Sequence, residues 1–319
     1  MDGVLIIDKP AGLTSHDVVA RVRKIIGERK AGHTGTLDPF ATGVLVVLVG
    51  RATRLARFLS GAEKEYEAVI RLGYATDTGD ATGTRLEPAS GLMAETLGRR
   101  SVRREDVESA LAGLRGEIKQ TPPMYSAKKV AGRKLYEHAR RGEEIERQPI
   151  LVNISRFEAA GQDGVLLTQN DDSTSDLSAR IICSAGTYVR TLAEDFGRRL
   201  GSGAHLRELR RTRAGKFTIK DAITLEQLTE VVGSASLEQV LNSPDEALSH
   251  LPSVDLSGDH VVRTLHGLGM QIEETNWDWP SGQAVRMRDM KGNLIAVGIC
   301  DAEQKLIHPR VVIRGAEGV

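Results

Sequence analysis

The stretch from Ala31 to Leu45, reading Ala-Gly-His-Thr-Gly-Thr-Leu-Asp-Pro-Phe-Ala-Thr-Gly-Val-Leu, constrains the chain more than any other. Gly32, Gly35 and Gly43, with Pro39 directly behind Asp38, mark a loop that turns sharply and brings backbone close to another part of the molecule. A residue before proline is pushed out of the helical region toward extended geometry, so Asp38 is aimed by its own neighbour before any tertiary contact forms. Six apolar residues, Val44 to Val49, follow and predict a buried strand or short buried helix anchoring the loop. Asp is also a turn residue for local hydrogen-bonding reasons. The residues alone therefore leave two readings open: a solvated turn carboxylate, or a positioned reactive one.

The run Gly-His-Thr-Gly-Thr-Leu-Asp-Pro-Phe-Ala-Thr-Gly-Val-Leu resembles the catalytic loop of the TruB family of tRNA pseudouridine synthases, whose catalytic aspartate corresponds to Asp38. Separate segments in matching order extend the resemblance over most of residues 3–220. Lys9, Pro10, Gly12, Thr14 and Ser15 match the family's opening, which packs beneath that loop, so Lys9 and Pro10 are expected as structural support. The resemblance implies an α+β pseudouridine-synthase fold, with a mixed, largely antiparallel sheet flanked by helices and a thumb insertion at about 119–150. A small PUA-like β-barrel is expected at the C-terminus. On that pattern residues 1–235 form the catalytic domain, 236–250 a linker and 251–315 the PUA-like domain.

Charge supports a nucleic-acid partner for one part of the chain only. The formal net charge is zero, yet residues 1–220 hold 36 Lys and Arg against 28 Asp and Glu, net +8, while residues 221–319 carry net −8. No run of about 18 apolar residues occurs, and the N-terminus has no basic segment leading an apolar one, so a cytoplasmic protein without a membrane span is expected. Cys183 and Cys300 provide neither a disulfide framework nor a metal pair and read as small buried hydrophobes.

Taken in order, residues 3–8 predict a buried strand, Asp17 to Ile26 a helix capped at Thr14 or Ser15, Arg51 to Ser60 a helix, and Lys64 to Tyr74 a strand. Strand alternation puts Tyr66, Ala68 and Ile70 on one face; an aromatic there is ordinarily core packing. The resemblance makes Tyr66 the tyrosine that lies against the target uracil. Thr76 to Gly83 is turn composition, without the bidentate glutamate of a calcium loop. Residues 101–115 predict an amphipathic helix with an imperfect cap at Ser101. From Lys128 to Arg147, seven Lys or Arg stand against four Glu with Tyr125 and Tyr136 nearby, a pattern that suits either RNA binding or a solvated helix and hairpin. The segment resembles the family's thumb, and Lys128, Lys129, Arg133 and Lys134 are candidate RNA contacts.

The acidic segment 162–178 predicts a solvated hairpin tip or disordered loop, and residues 179–190 a strand that places Tyr188 and Arg190 on one face. A buried arginine needs a carboxylate or phosphate partner, and the resemblance supplies Asp38, with Tyr188 in the wall of the site. Residues 198–216 hold seven Lys or Arg and one Glu, which makes Arg207, Arg210 and Arg211 further RNA candidates. The same region resembles the family where a leucine, here Leu209, lines the uracil pocket. From Asp221 to Val262 there is no Lys or Arg and there are eight acids, a composition shift that marks a boundary. Short strands with turn signals follow, at 282–288, 291–299 and 308–313.

The chain has no Walker loop, no Ser-His-Asp motif and no metal-ligand cluster in its sequence. One carboxylate beside an arginine is expected to have a lowered pKa, making Asp38 an ionised nucleophile or base. No cofactor is implied. The resemblance implies a monomer that isomerises uridine 55 in the T-arm loop of tRNA to pseudouridine after flipping the base out, with His33 filling the vacated stack. Whether Asp38 attacks ribose or base, or removes a ribose proton, stays open. Two other readings stand beside this one: an RNA-binding or RNA-folding factor acting without catalysis, and a hydrolase using Asp38 and His33.

Overall fold

The computed structural model describes residues 1–86, 102–126, 128–130, 132–139, 141–161, 166–234, 237–271 and 279–313. The N-terminal strand β1 (Gly3–Lys9) leads through a Gly12 turn into helix α1 (Ser15–Ile26). Thr14 caps α1: its hydroxyl accepts from Asp17 N at 3.1 Å, and the Asp17 carboxylate accepts from Thr14 N at 2.9 Å. Short β2 (Ala31–His33) enters the glycine-rich loop, and the apolar run emerges from it as β3 (Thr42–Val49). β1 and β3 pair antiparallel along their length and are buried on both faces, which is why neither alternates in polarity. A 3₁₀ turn over Gly50–Leu55 and a single helical turn α2 (Ala56–Leu59) replace the one helix expected at 51–60.

β4 (Lys64–Leu72) alternates as expected, with Tyr66, Ala68 and Ile70 inward. Helix α3 (Arg104–Ala112) begins later than the expected cap at Ser101, which lies outside the described residues; Asp106 instead reaches back to Arg103 N. β5 (Gly116–Gln120) precedes the thumb segment, a hairpin of β6 (Lys129–Val130) and β7 (Arg133–Lys134) followed by helix α4 (Leu135–Ala139). The chain continues through β8 (Ile150–Ala159), β9 (Thr168–Gln169) and β10 (Ser175–Cys183), then α5 (Val189–Leu200), β11 (Ala204–Ala214), β12 (Phe217–Thr218), α6 (Leu225–Gly233) and α7 (Pro244–Ala247). The hairpin tip expected at 162–178 is seen in β9 against β10; residues 162–165 lie outside the described part.

The main sheet runs β1-β3-β11-β4-β10-β8-β5. Its neighbours are antiparallel except β3 and β11, which are parallel through Arg210 beside Thr42 and Arg211 beside Gly43. Gly43 has φ +99°, and a Cβ there would collide with the Arg211 backbone, so only glycine lets the two strands meet. Helices α3 and α5 cover one face of the sheet, bringing Leu111 and Phe196 into one core with Phe157 of β8, while α1 and α6 cover β1 and β3.

One expected element is corrected. The strand predicted to run to Arg190 stops at Cys183; Gly186 takes φ +87°, the Thr187 hydroxyl donates to Ser184 O at 2.9 Å, and α5 starts at Val189. Tyr188 is the residue before the helix and Arg190 lies in its first turn, so the two share a site without sharing a strand face.

A second sheet is built from β13 (Ser253–Leu256), β14 (Met270–Gln271), β15 (Ala284–Asp289), β16 (Leu294–Asp301) and β17 (Leu306–Val312), with helix α8 (Gly258–Leu265) against it. Its order is β13-β15-β16-β17-β14, a curled half-barrel of the PUA-like kind. Leu294, Val297 and Ile313 join Val4, Ile6, Val44 and Val46 in one buried cluster, docking this sheet on the back of β1 and β3. The segment expected as a linker packs as well: Asn242 and Val4 exchange two backbone hydrogen bonds of 2.9 Å. Both cysteines are buried. Among the described residues no helix is long and apolar enough to cross a membrane.

Candidate active site

Asp38 sits at the tip of the loop between β2 and β3, and three side chains fix that loop from below. Lys9 is fully buried and its ammonium donates to the carbonyls of Pro10 (2.8 Å), Leu13 (2.7 Å) and Pro39 (3.2 Å). The Ser15 hydroxyl accepts from Leu37 N at 2.8 Å and donates to Leu37 O at 3.1 Å. Arg211 closes the loop's two ends: Nε donates to Val44 O (2.7 Å), while its other nitrogens donate to Gly35 O (3.1 Å) and Thr36 O (3.5 Å). A residue on β11 thus holds both entrance and exit of a loop 170 residues earlier, an order of separation that makes the loop a product of tertiary folding, not of local propensity.

Arg190 meets the Asp38 carboxylate with two nitrogens, Nε to Oδ2 at 2.9 Å and Nη2 to Oδ1 at 3.2 Å. The remaining donors are filled by Thr78 O (2.8 Å) and Tyr125 O (2.7 Å), and Asp80 Oδ2 lies 3.9 Å from Nη1. A guanidinium only 4% exposed is in this way held on all three nitrogens by backbone carbonyls and the Asp38 carboxylate, which fixes its plane. The turn at 76–83 orients Asp80, whose Oδ1 accepts from Thr82 N and from the Thr78 hydroxyl, both at 2.9 Å. Asp80 was hidden in the sequence by its turn-like setting.

These groups form one end of a cavity of about 270 Å³ whose walls include Tyr66, Tyr188, Leu209 and Lys64. Tyr188 is held by Gln120, whose side-chain amide donates to Tyr188 O at 3.0 Å and accepts from Tyr188 N at 2.7 Å. Lys64 is 8% exposed, its ammonium capping Ser60 O and Ala62 O at 2.5 Å each. Sequence parity with Tyr66 on β4 was the available signal for it. His33 lies just outside the lining; its ring meets His16 edge-on at 5.3 Å, and its buried Nδ1 has no partner among the described residues.

Electrostatics correct one expectation. Burial raises the Asp38 carboxyl above its ordinary value, Arg190 pulls it back down, and Asp80 adds to the rise; the net direction is upward, where the sequence had predicted a lowered value. Arg190 therefore keeps the carboxylate form available while desolvation makes it a stronger base. Burial also pushes the Tyr66 phenol up, against the nearby Arg211 charge, so the ring presents a neutral hydroxyl. The Lys9 and Lys64 ammoniums fall to about 8 and the His33 imidazole to about 4, each mainly by burial.

Of the candidate RNA contacts, Arg133 is exposed on the thumb hairpin and Lys128 is half-buried. Lys129 and Lys134 lie on its strands, their side chains outside the described part. Arg211 is 2% exposed and serves the loop, so it is not a surface phosphate contact. Arg210 pairs with Asp8 at 2.7 Å and Arg207 with Asp176, pairings between distant segments that a charge count could not show.

Residues 23–189 match the family described as TruB family pseudouridylate synthase (N terminal domain), and residues 190–249 match the tRNA pseudouridylate synthase B C-terminal domain. The chain is 41% identical over 319 residues to tRNA pseudouridine synthase B of Heliobacterium modesticaldum, spanning 99% of this chain and 97% of that one. It is 44% identical over 272 residues to tRNA pseudouridine synthase B of Geobacillus thermodenitrificans, spanning 85% and 86%. A solved structure described as a Cbf5-Nop10-Gar1 complex superimposes with a TM-score of 0.73 at 28% identity, over 98% of this chain and 85% of that one. Fold and comparisons together define a pseudouridine synthase, an isomerase. The chain belongs to the TruB family of pseudouridylate synthases.

Proposed function

We propose that the chain acts on tRNA and isomerises uridine 55 in the T-arm loop to pseudouridine, with Asp38 as the catalytic carboxylate. The observation that carries this reading is the two-pronged Asp38–Arg190 contact at one end of a cavity walled by Tyr66, Tyr188 and Leu209. Uracil must leave C1′, turn, rejoin through C5 and lose the C5 proton, and one positioned carboxylate able to attack or take a proton starts that sequence. Tyr66 and Leu209 hold the base between an aromatic and an aliphatic wall. Arg190 keeps Asp38 charged and oriented. The target base is flipped out of its stack to enter, at a cost of a few kcal/mol, and His33, neutral at its depressed pKa, is suited to fill the gap with an uncharged ring. Lys128, Arg133 and the neighbouring thumb cations take the phosphates, and the protein works as a cytoplasmic monomer.

The test is tritium release from a tRNA transcript labelled at uracil C5, comparing the wild type with Asp38→Asn. Release at one site by the wild type alone is the expected result. No release by either protein, with RNA binding intact, leaves an RNA-binding or RNA-folding factor and withdraws the enzyme assignment at this position.

A further inference from the structure

One buried hydroxyl in the cavity wall has no bonding partner among the described residues. Ser126 is 5% exposed and lines the cavity, and among the described residues its Oγ has no hydrogen-bond partner. Several buried hydroxyls elsewhere are satisfied, Ser15 by Leu37, Thr76 by Asp80 O at 2.8 Å and Ser202 by Gly203 O at 3.0 Å, while Thr191, also unmatched among the described residues, lies off the cavity lining. Two other hydroxyls of the same wall are also engaged, Ser184 Oγ accepting from Asn153 N and Thr187 donating to Ser184 O, both at 2.9 Å. A buried hydroxyl left unmatched is unfavourable, so a substrate hydroxyl that reaches it when the cavity is filled gains a bond the free protein lacks.

Its position says which part of a nucleotide it meets. Arg190 Nη2 donates to Tyr125 O at 2.7 Å and to Asp38 Oδ1 at 3.2 Å, so the chain at residues 125–126 stands one guanidinium nitrogen from the reactive carboxylate. Tyr66 and Leu209 supply the apolar walls for the base, which leaves the Asp38 end for the glycosidic bond and sugar. Ser126 is also tied to the thumb, since its carbonyl accepts from Tyr136 N at 3.1 Å at the start of α4. We propose that the Ser126 hydroxyl is a substrate-binding group that hydrogen-bonds the ribose 2′-hydroxyl of the target nucleotide. This rests on the assignment of the cavity as a uridine site. A ribose hydroxyl donates and accepts at once, as does serine, and the contact would give the site a means of telling RNA from DNA at the reacting nucleotide.

The experiment compares Ser126 with Ser126→Ala in an Asp38→Asn background, so that no turnover intervenes. Affinity is measured for two T-arm stem–loops, one with uridine and one with 2′-deoxyuridine at the target position. The expected result is a closed cycle: the deoxy substitution weakens binding about fivefold to Ser126 protein, Ser126→Ala weakens the uridine RNA to the same degree, and the two together weaken no further. Separately, Ser126→Ala alone in the free protein should leave thermal stability unchanged or raised, because it deletes an unmatched polar group. Losses that multiply, an uridine affinity unmoved by Ser126→Ala, or a lowered stability of the free variant would each overturn the proposal. Conversion of the uridine stem–loop by the wild type, run alongside, reports on the underlying assignment: failure there faults the site reading, while success with an open cycle faults Ser126 alone.

Discussion

Asp38 is held between desolvation, which favours its proton, and Arg190, which expels it. The upward net shift predicts that single-turnover conversion falls on the acid side with a midpoint above the ordinary aspartate value of about 3.8. Arg190→Gln removes the opposing charge, so its midpoint should move higher still, and the rate at pH 7 should drop by roughly a hundredfold or more. A midpoint unchanged by Arg190→Gln would show that the pair does not set the ionisation. The sign for stability follows from the same shift. Folded protein holds this proton more tightly than unfolded chain, so the Asp38 contribution declines as pH rises through a window beginning near 3.8. Urea titrations across that window should show the decline in the wild type and a flatter profile in Asp38→Asn.

At the scale of elements, the parallel contact of β3 with β11 joins the two halves of the sheet and positions the Asp38 loop. Gly43→Ala would meet both a left-handed φ and the Arg211 backbone, so it should cost about 3 kcal/mol or more and lower activity with it. Chemical denaturation checks the first part and tritium release the second. Much of this level was legible beforehand. The strand β4 and the helix α1 follow from apolar period and a capping threonine and β1 from a short apolar run, all local signals, while the apolar run of β3 left strand and buried helix both open. The boundary at 184–190 was not, because Gly186 redirects the chain inside a stretch whose side chains still read as a strand. Arg210 and Arg207 read as free cations because Asp8 and Asp176 reach them only in the folded sheet. Lys9 and Tyr66 were found through resemblance; the chemistry of Lys9, three carbonyls around one ammonium, is visible only in three dimensions.

Across the whole molecule, charge and apolar surface divide the work. The +8 of residues 1–220 predicts that RNA affinity falls steeply with salt, by orders of magnitude between 50 and 200 mM if about six or more phosphates are engaged; a flat response in filter binding would contradict it. The acidic remainder instead docks through an apolar face, where Val297 is fully buried in one cluster with Val4 and Val46. Val297→Asp would place an unpaired charge there and should lower stability by about 3–5 kcal/mol, read by thermal and urea unfolding. The two guanidiniums that hold the Asp38 loop also have a consequence in time. Asp38 leaves the ribosome early, but Arg190 and Arg211 follow more than 150 residues later and Asn242, which completes the edge of β1, later still. A growing chain carries the Asp38 carboxylate through 152 further residues of synthesis before the first of these cations is added to orient it. On the proposed reading, nascent chains arrested before residue 190 should bind RNA without converting it, because the partner of Asp38 has not yet been made.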